Sequence, residues 1–372
     1  MWSEETKNGI KYVERYIDPL TGKKKRVSIT LTGKKTKKQE RMAADILEDK
    51  IKAVYASHPD SKLTLGEVAE YYYQDQKRTV SEQTYIRNKF AVVSNLRMLG
   101  SDVLINNLTA RYVRECYNAS GKENGTLNEH MTRLKAFLRW AYRNDYIDDI
   151  TWLQKLVPYE DRKKKEELED KYLESEELAI LLDGMQVKKW RDLTQFLALT
   201  GMRCGEAIGL KREDVDIKNR NIHVWESYSS VTKKDGSTKT GKSRDVYIQD
   251  ELLELCKRLS LEQKKKDLET GVRSSYFFHD LSGQPYEYYA YNKYLKENAT
   301  ILLPEREHRT TTHIMRHTHV ALMAESGASL DAISRRVGHS NSRITRDIYF
   351  HVTKKMKERD NAEFEKIMIL GK

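Results

Sequence analysis

Apolar positions in this chain repeat with two different periods, and the period changes in blocks. In "IKYVERYI" (10–17) apolar and charged residues alternate, which predicts a strand. "DPLTGK" (18–23) carries turn signals, and "KKRVSITLTG" reads as the returning strand. "TKKQERMAADILEDKIKAVYA" then sets Met42, Ile46 and Ile51 near helical spacing, with Thr36 as N-cap. From Leu65 to about Trp152, four segments place apolar residues at i, i+3, i+4 and i+7: "LGEVAEYYYQDQ", "SEQTYIRNKFAVVSNLRML", "TARYVRECYNAS" and "LNEHMTRLKAFLRWAYRNDYI". In the last, Leu134, Phe137, Leu138 and Ala141 form the expected buried stripe. The run "YYY" (71–73) reads as core and rim.

Two stretches interrupt the pattern. "HPDSKLTLG" (58–66) reads as a linker, and so does the charged "YEDRKKKEELEDKYLESEE" (159–177). Beyond it, "SEELAILLDGM" and "WRDLTQFLALTGMRCGEAIGLKREDVD" read as helical. "RNIHVWESYSS" and "STKTGKSRDVYI" alternate like strands around "KKDGS", whose Asp-Gly predicts a hairpin turn. Further helices are expected in "DELLELCKRL", "YAYNKYLKENA", "THIMRHTHVALM", "SLDAISRRVG" and the C-terminal tail. The expected fold is mainly α with small β elements, in three parts: 1–57, 63–158 and 170–372.

Charge sharpens this picture. The 372 residues carry a net charge of +11, with a pI near 9.2. An excess of that size points to a polyanionic partner, a nucleic acid or an anionic membrane. Between Lys23 and Arg41 there are nine basic residues and one acidic one. The helical block adds Arg87, Arg133 and Arg139 on faces expected to be outward. No apolar run approaches a membrane span and "MWSEETKNGI" is no signal peptide, so no membrane association is expected. Cys116, Cys204 and Cys256 are scattered, which fits a reducing cytosol and neither a disulfide framework nor a zinc knuckle.

Candidate chemistry lies in four cation-rich patches. "TGMRCGEAIGL" sets Arg203 and Glu206 at i and i+3; alone, that spacing is more often a surface pair. "TKTGKSR" crowds Lys239, Lys242 and Arg244 around Gly241, and alone is more often a solvated hairpin tip. "THIMRHTHVALM" puts His313, Arg316 and His317 on one helix face. A metal reading of the two histidines lacks the glutamate of a zinc-protease helix and a third ligand. "VGHSNSRITRDIYFHV" offers His339 and, ten residues on, Tyr349. There is no acidic pair for Mg²⁺, no GxxxxGK[ST] loop for ATP and no Ser-His-Asp order. Arginines clamp phosphate oxygens bidentately, a lysine can protonate a leaving alkoxide, and a tyrosine oxygen can serve as nucleophile. The set reads as phosphoryl transfer on DNA without metal or cofactor.

"TGMRCGEAIGLKREDVD", "TKTGKSRDVYI", "HIMRHTH" and "VGHSNSRITRDIYFHV" together resemble the tyrosine recombinases, in particular the integrases of Gram-positive temperate phages and conjugative transposons. The resemblance spans nearly the whole chain. It implies an arm-type DNA-binding module (1–57), a helical core-binding domain (63–158) and a catalytic domain (170–372). It also implies roles. Arg203 and Arg316 would clamp phosphate, Lys239 would be the general acid (with Lys242 as rival) and His313 would move protons. His339 would bond the phosphate and Tyr349 would be the nucleophile, with Glu206 and His317 in support. Lys23, Lys24, Lys25, Arg26, Lys34, Lys35, Arg87, Arg133, Arg139, Lys242 and Arg244 are the expected DNA contacts. Met315 and Val337 stand where leucine is common, and both keep an apolar role. The implied activity is integration and excision of a mobile element through a 3′-phosphotyrosine and a Holliday junction. The implied partners are duplex DNA at attachment or transposon-end sites and a homotetramer, with the tail "HVTKKMKERDNAEFEKIMILGK" docked in trans. The arm-binding module suggests an excision factor and a host DNA-bending protein, and the setting is a bacterial cytoplasm. A type IB topoisomerase would share the chemistry and rejoin the same strand. A non-catalytic architectural DNA-binding protein would leave the catalytic set unexplained.

Overall fold

The computed structural model describes residues 1–372 except Leu20, Lys34, 57–62, 161–167, Lys239, Thr240, 307–309, 339–342 and 366–372. The chain forms two compact units, 1–163 and 164–372.

The first unit begins with an antiparallel sheet in the order β1 (Trp2–Thr6), β2 (Gly9–Ile17), β3 (Lys24–Leu31). The register sets Ile10 opposite Leu31 and Tyr12 opposite Ile29. With a side-chain period of two, these residues share one face with Val27. Helix α1 (Lys37–Ala56) covers that face with Ala43 and Leu47. Thr36 caps α1 through a hydrogen bond from the Gln39 backbone N–H (3.2 Å). The opposite face carries Arg15 and Arg26, which pair across the strands and lie 5.2 and 5.5 Å from the Trp2 ring. Strand β1 was not foreseen from the sequence; its signal was the turn dipeptide Asn8-Gly9.

Four helices follow: α2 (Leu65–Thr79), α3 (Glu82–Leu99), α4 (Ala110–Ala119) and α5 (Asn124–Arg143). Leu134, Phe137, Leu138 and Ala141 are all buried, as their spacing predicts. Tyr72 and Tyr73 enter the core, while Tyr71 stacks on Tyr146 at the rim (5.2 Å). At the centre, the fully buried Tyr117 donates its hydroxyl to Asn95 Oδ1 (2.5 Å). The Asn95 amide donates to the Ala91 and His130 carbonyls.

The second unit contains α6 (Ser175–Gly184), α7 (Lys188–Thr200), α8 (Cys204–Gly209), β4 (Val215–Asp216), β5 (Asn221–Val224), β6 (Glu226–Ser229), β7 (Lys234–Ser237) and β8 (Arg244–Tyr247). It continues with α9 (Asp250–Thr270), α10 (Tyr288–Leu302), α11 (Thr312–Glu325), α12 (Leu330–Val337) and α13 (Arg343–Phe364). Strands β4, β5 and β8 form one antiparallel sheet and β6 with β7 a second. The architecture is therefore mainly helical with small sheets.

Two expectations fail here. Asp235-Gly236 is not a turn: both residues lie in β7, opposite Tyr228 and Ser227. The reversal falls at residues 230–233, where Lys233 takes a φ of 54°. Asp235 is held in the strand by Lys211 (2.6 Å) and the Tyr276 hydroxyl (2.8 Å), so tertiary ion pairing overrides local turn preference. The stretch 159–177 is not all linker either. Tyr172 and Leu173 are fully buried, and α6 starts at Ser175 behind a Glu174–Glu177 capping box.

Replacing Tyr117 by Phe leaves the buried Asn95 oxygen without its donor. The expected loss is about 1–3 kcal/mol in urea unfolding of the first unit's helices. An unchanged midpoint would show that water replaces the hydroxyl.

Candidate active site

The site is assembled from the ends of α7, β8 and α12 and from one face of α11. Helix α7 stops at Gly201, whose φ of 66° places it in the left-handed region. A Cβ there would also come within 2.5 Å of the His319 ring, so glycine is required on two counts. The chain re-enters α8 with Arg203 as its N-cap. Glu206 accepts the Arg203 backbone N–H (2.9 Å) and its Nη1 (2.7 Å). It also accepts Arg244 Nη2 from β8 at 2.6 Å.

Glu206 is almost wholly buried. Burial alone would push its carboxyl up, but Arg244 and Arg203 outweigh that and hold it below the usual range. Arg203 keeps about a fifth of its side chain exposed. Arg316 is buried on α11, held by packing of Ile314, Met315, Val320 and Ala321 around it. Its Nη1 donates to Gly201 O (2.7 Å) and its Nη2 to Val337 O; its buried Nε has no acceptor among the described residues. Burial, then the neighbouring Arg203 and Arg244, push Arg316 down to about 9, which leaves it charged at neutral pH. Three guanidiniums thus gather around one carboxylate, two of them largely out of water. The cluster therefore carries a net positive charge, a chemistry suited to binding an anion.

His313 is exposed at the start of α11. His317, one turn on, is half-buried, and its buried Nδ1 has no partner among the described residues. Burial, with His313, Arg316 and Lys171 nearby, lowers it to about 4, so the ring is neutral at physiological pH. Tyr349 lies on α13, half-buried between Ile348 and Val352. Those two pack with Val320, Ala321 and Ala324 of α11 and with Ile333 and Val337 of α12. Tyr349 sits at the edge of that cluster, with Phe350 exposed beside it. Lys239 and His339 lie outside the described residues. The stretch read as a hairpin tip instead joins two sheets, β7 pairing with β6 and β8 with β5; beside β7 the buried Thr238 donates its hydroxyl to Lys242 O (2.9 Å).

The expected DNA contacts divide. Lys242, Arg87, Arg139, Lys24 and Arg26 are exposed, and Lys35 is exposed beside Ser3 and Glu40. Lys23 pairs with Asp102 and Lys25 with Asp18, while Arg133 is half-buried and donates to Asn88 (3.2 Å). Lys34 lies outside the described residues. Arg244 is a correction. Its side chain is about nine-tenths buried and spent on Glu206 and the Arg336 carbonyl (2.9 Å), so it supports the site from within. Two residues that the sequence did not single out, the buried His319 and the half-buried Arg336, lie behind the site and are bonded to each other (3.1 Å). Their only sequence signal was a polar residue next to core positions of a helix.

The model of the phage integrase family matches residues 171–356, half of the chain, including every described residue of this site. The chain belongs to that family. It is a tyrosine recombinase, an enzyme that breaks and rejoins DNA strands. It is 28% identical to the prophage ps2 probable integrase of Lactococcus lactis, over 96% of this chain and 97% of that one. The Tn1549 transposon integrase in complex with a circular intermediate DNA superimposes with a TM-score of 0.63 at 21% identity, over 80% of this chain and all of that one. The lambda integrase tetramer bound to a Holliday junction gives 0.61 at 16% identity, over 91% and 94%. At such identities the two structures bear on the fold alone. Among the described residues of this integrase family member, no helix is long and apolar enough to cross a membrane.

Replacing Glu206 by Gln removes the carboxylate that pairs with Arg203 and Arg244 and whose charge partly offsets Arg316. The expected cost is roughly 3 kcal/mol at neutral pH. Because the folded pKa is depressed, Glu206 contributes fully above the unfolded carboxylate value of about 4.3, and its contribution is lost as pH falls through the lower folded value. The stability gap between wild type and Glu206→Gln should be flat from pH 6 to 8 and shrink below about pH 4. A gap independent of pH would rule out the charged pairing.

Proposed function

We propose that this recombinase integrates and excises a mobile element, with Tyr349 as nucleophile and the Arg203–Arg316 pair as phosphate clamp. The Tyr349 oxygen attacks the scissile phosphorus. The bond from phosphorus to the 5′ oxygen breaks, and a 3′-phosphotyrosine forms. The tyrosine proton passes to a nearby base, for which His313 is the candidate, and Lys239 protonates the departing 5′ oxygen. Attack by the 5′-hydroxyl of a second duplex reverses these steps on a new strand. One diester replaces another each time, so no nucleotide cofactor is consumed.

The observation that carries this reading is the cluster of three guanidiniums around the single carboxylate of Glu206. In the transition state a phosphorane carries extra negative charge on its non-bridging oxygens. Prepositioned guanidinium donors in a water-poor site stabilise that charge without reorganisation. His339 would add a further phosphate contact and His317, neutral at physiological pH, would support His313. The DNA partner is duplex DNA at the element's ends, held by the exposed cations of both units. The assembly is a homotetramer acting through a Holliday junction, a reading supported by the lambda integrase tetramer of the same fold. An excision factor and a DNA-bending protein would act through the arm-type module, and the chain would work in the bacterial cytoplasm.

The test is a duplex from the element's ends, nicked beside the crossover so that cleavage cannot reverse, incubated with protein in EDTA. A covalent protein–DNA adduct should form and be absent with Tyr349→Phe. Tight binding without an adduct would point instead to an architectural protein. Relaxation of supercoiled DNA without exchange into a second duplex would favour a topoisomerase.

A further inference from the structure

Among the described residues no carboxylate bonds Arg316. Both of its bonds go to main-chain carbonyls, Gly201 O and Val337 O. Its placement therefore depends on what fixes those two carbonyls. Gly201 follows the last turn of α7. In that turn, Ala198 O accepts His319 Nδ1 (2.7 Å), and Leu199 O accepts both Arg336 Nη2 (3.1 Å) and Gln249 Nε2 (3.1 Å). Val337 directly follows Arg336.

Arg336 uses its whole fork. Nε donates to His319 Nε2 (3.1 Å), Nη1 to Tyr247 O (2.8 Å), and Nη2 to Gln249 Oε1 (2.6 Å) as well as Leu199 O. The His319 ring, about 2% exposed, is thereby fixed in one tautomer, with Nδ1 donating and Nε2 accepting. It also fills the space left by the missing Cβ of Gly201. This one bonded pair ties α11, the end of α7, the β8–α9 junction and the end of α12 into a single frame.

We infer that His319 and Arg336 are positioning residues, which hold the Gly201 and Val337 carbonyls so that the Arg316 guanidinium is aimed before DNA arrives. This rests on the reading of Arg316 as a phosphate clamp. The low basicity of His319, driven down to about 3 by burial and by Arg336, fits a ring that stays a neutral relay between donor and acceptor at all working pH values. A bonded frame of this kind holds a clamp to within a fraction of an ångström. Misplacement by about 1 Å costs on the order of 100-fold in rate.

The experiment measures single-turnover cleavage of the nicked duplex at saturating protein, the Kd for that duplex, and the Tm. The variants are Arg336→Lys, His319→Leu and Arg316→Lys, together with the Arg336→Lys/Arg316→Lys double variant. Arg336→Lys is expected to cleave about 100-fold more slowly with Kd changed less than about threefold, and to stay slow well below its Tm. Added to Arg316→Lys it should cost less than about threefold more, since the residue it aims is already gone. If Arg336→Lys does not fold, His319→Leu is read by the same rate and Kd criteria. A folded variant that cleaves at the wild-type rate, or a double variant whose losses multiply, overturns the inference. Wild-type cleavage by Arg316→Lys would instead overturn the reading of the site on which it rests.

Discussion

The catalytic unit depends on one carboxylate. Glu206 accepts Arg203 at the start of α8 and Arg244 from β8, and it is the negative charge nearest the buried Arg316. Without it, guanidiniums from α8, β8 and α11 could not share so small a volume. With it, the cluster still carries more positive than negative charge. The fold therefore stores an electrostatic demand that a phosphate can meet. On the proposed reading, this turns a general attraction to DNA into a chemical site.

The elements around the cluster serve that constraint. Gly201 lets α7 end against the His319 ring, which brings its carbonyl to Arg316. Gly338, with a φ of 70°, closes α12 where a Cβ would lie 2.8 Å from the Arg244 side chain. Ile348 and Val352 fasten α13 to α11 and α12, so the helix bearing Tyr349 is packed on the elements that carry Arg316 and one of its acceptors, Val337 O.

Much of this was legible in the sequence because local chemistry and tertiary role agree. The stripe from Leu134 to Ala141 and the cap at Thr36 follow from spacing alone. The four motifs pointed to Arg203, Glu206, Arg316 and Tyr349 together; the structure bonds Arg203 to Glu206 and sets Arg316 close enough to feel the charge of both. What was not legible depends on partners far away in the chain. Arg244 looked like a surface cation because its acceptor, Glu206, lies on another element. Asp235-Gly236 looked like a turn because Lys211 and Tyr276, which hold it straight, are distant in sequence. His319 and Arg336 gave only the weak signal of a polar residue beside core positions, since a fully bonded polar side chain looks from sequence like a solvated one.

The central claim is that the arginine cluster exists to meet negative charge on the scissile phosphate. The most direct measurement compares two nicked duplexes, one native and one with a methyl group replacing a non-bridging oxygen of that phosphate. Cleavage of each is timed with wild type and with Arg316→Ala. On the native duplex the substitution should slow cleavage by about 100- to 1,000-fold or more. On the neutral methylphosphonate the penalty should fall below about tenfold, because less charge remains to be stabilised. An equal penalty on both duplexes would contradict the account and leave the cluster a purely structural device.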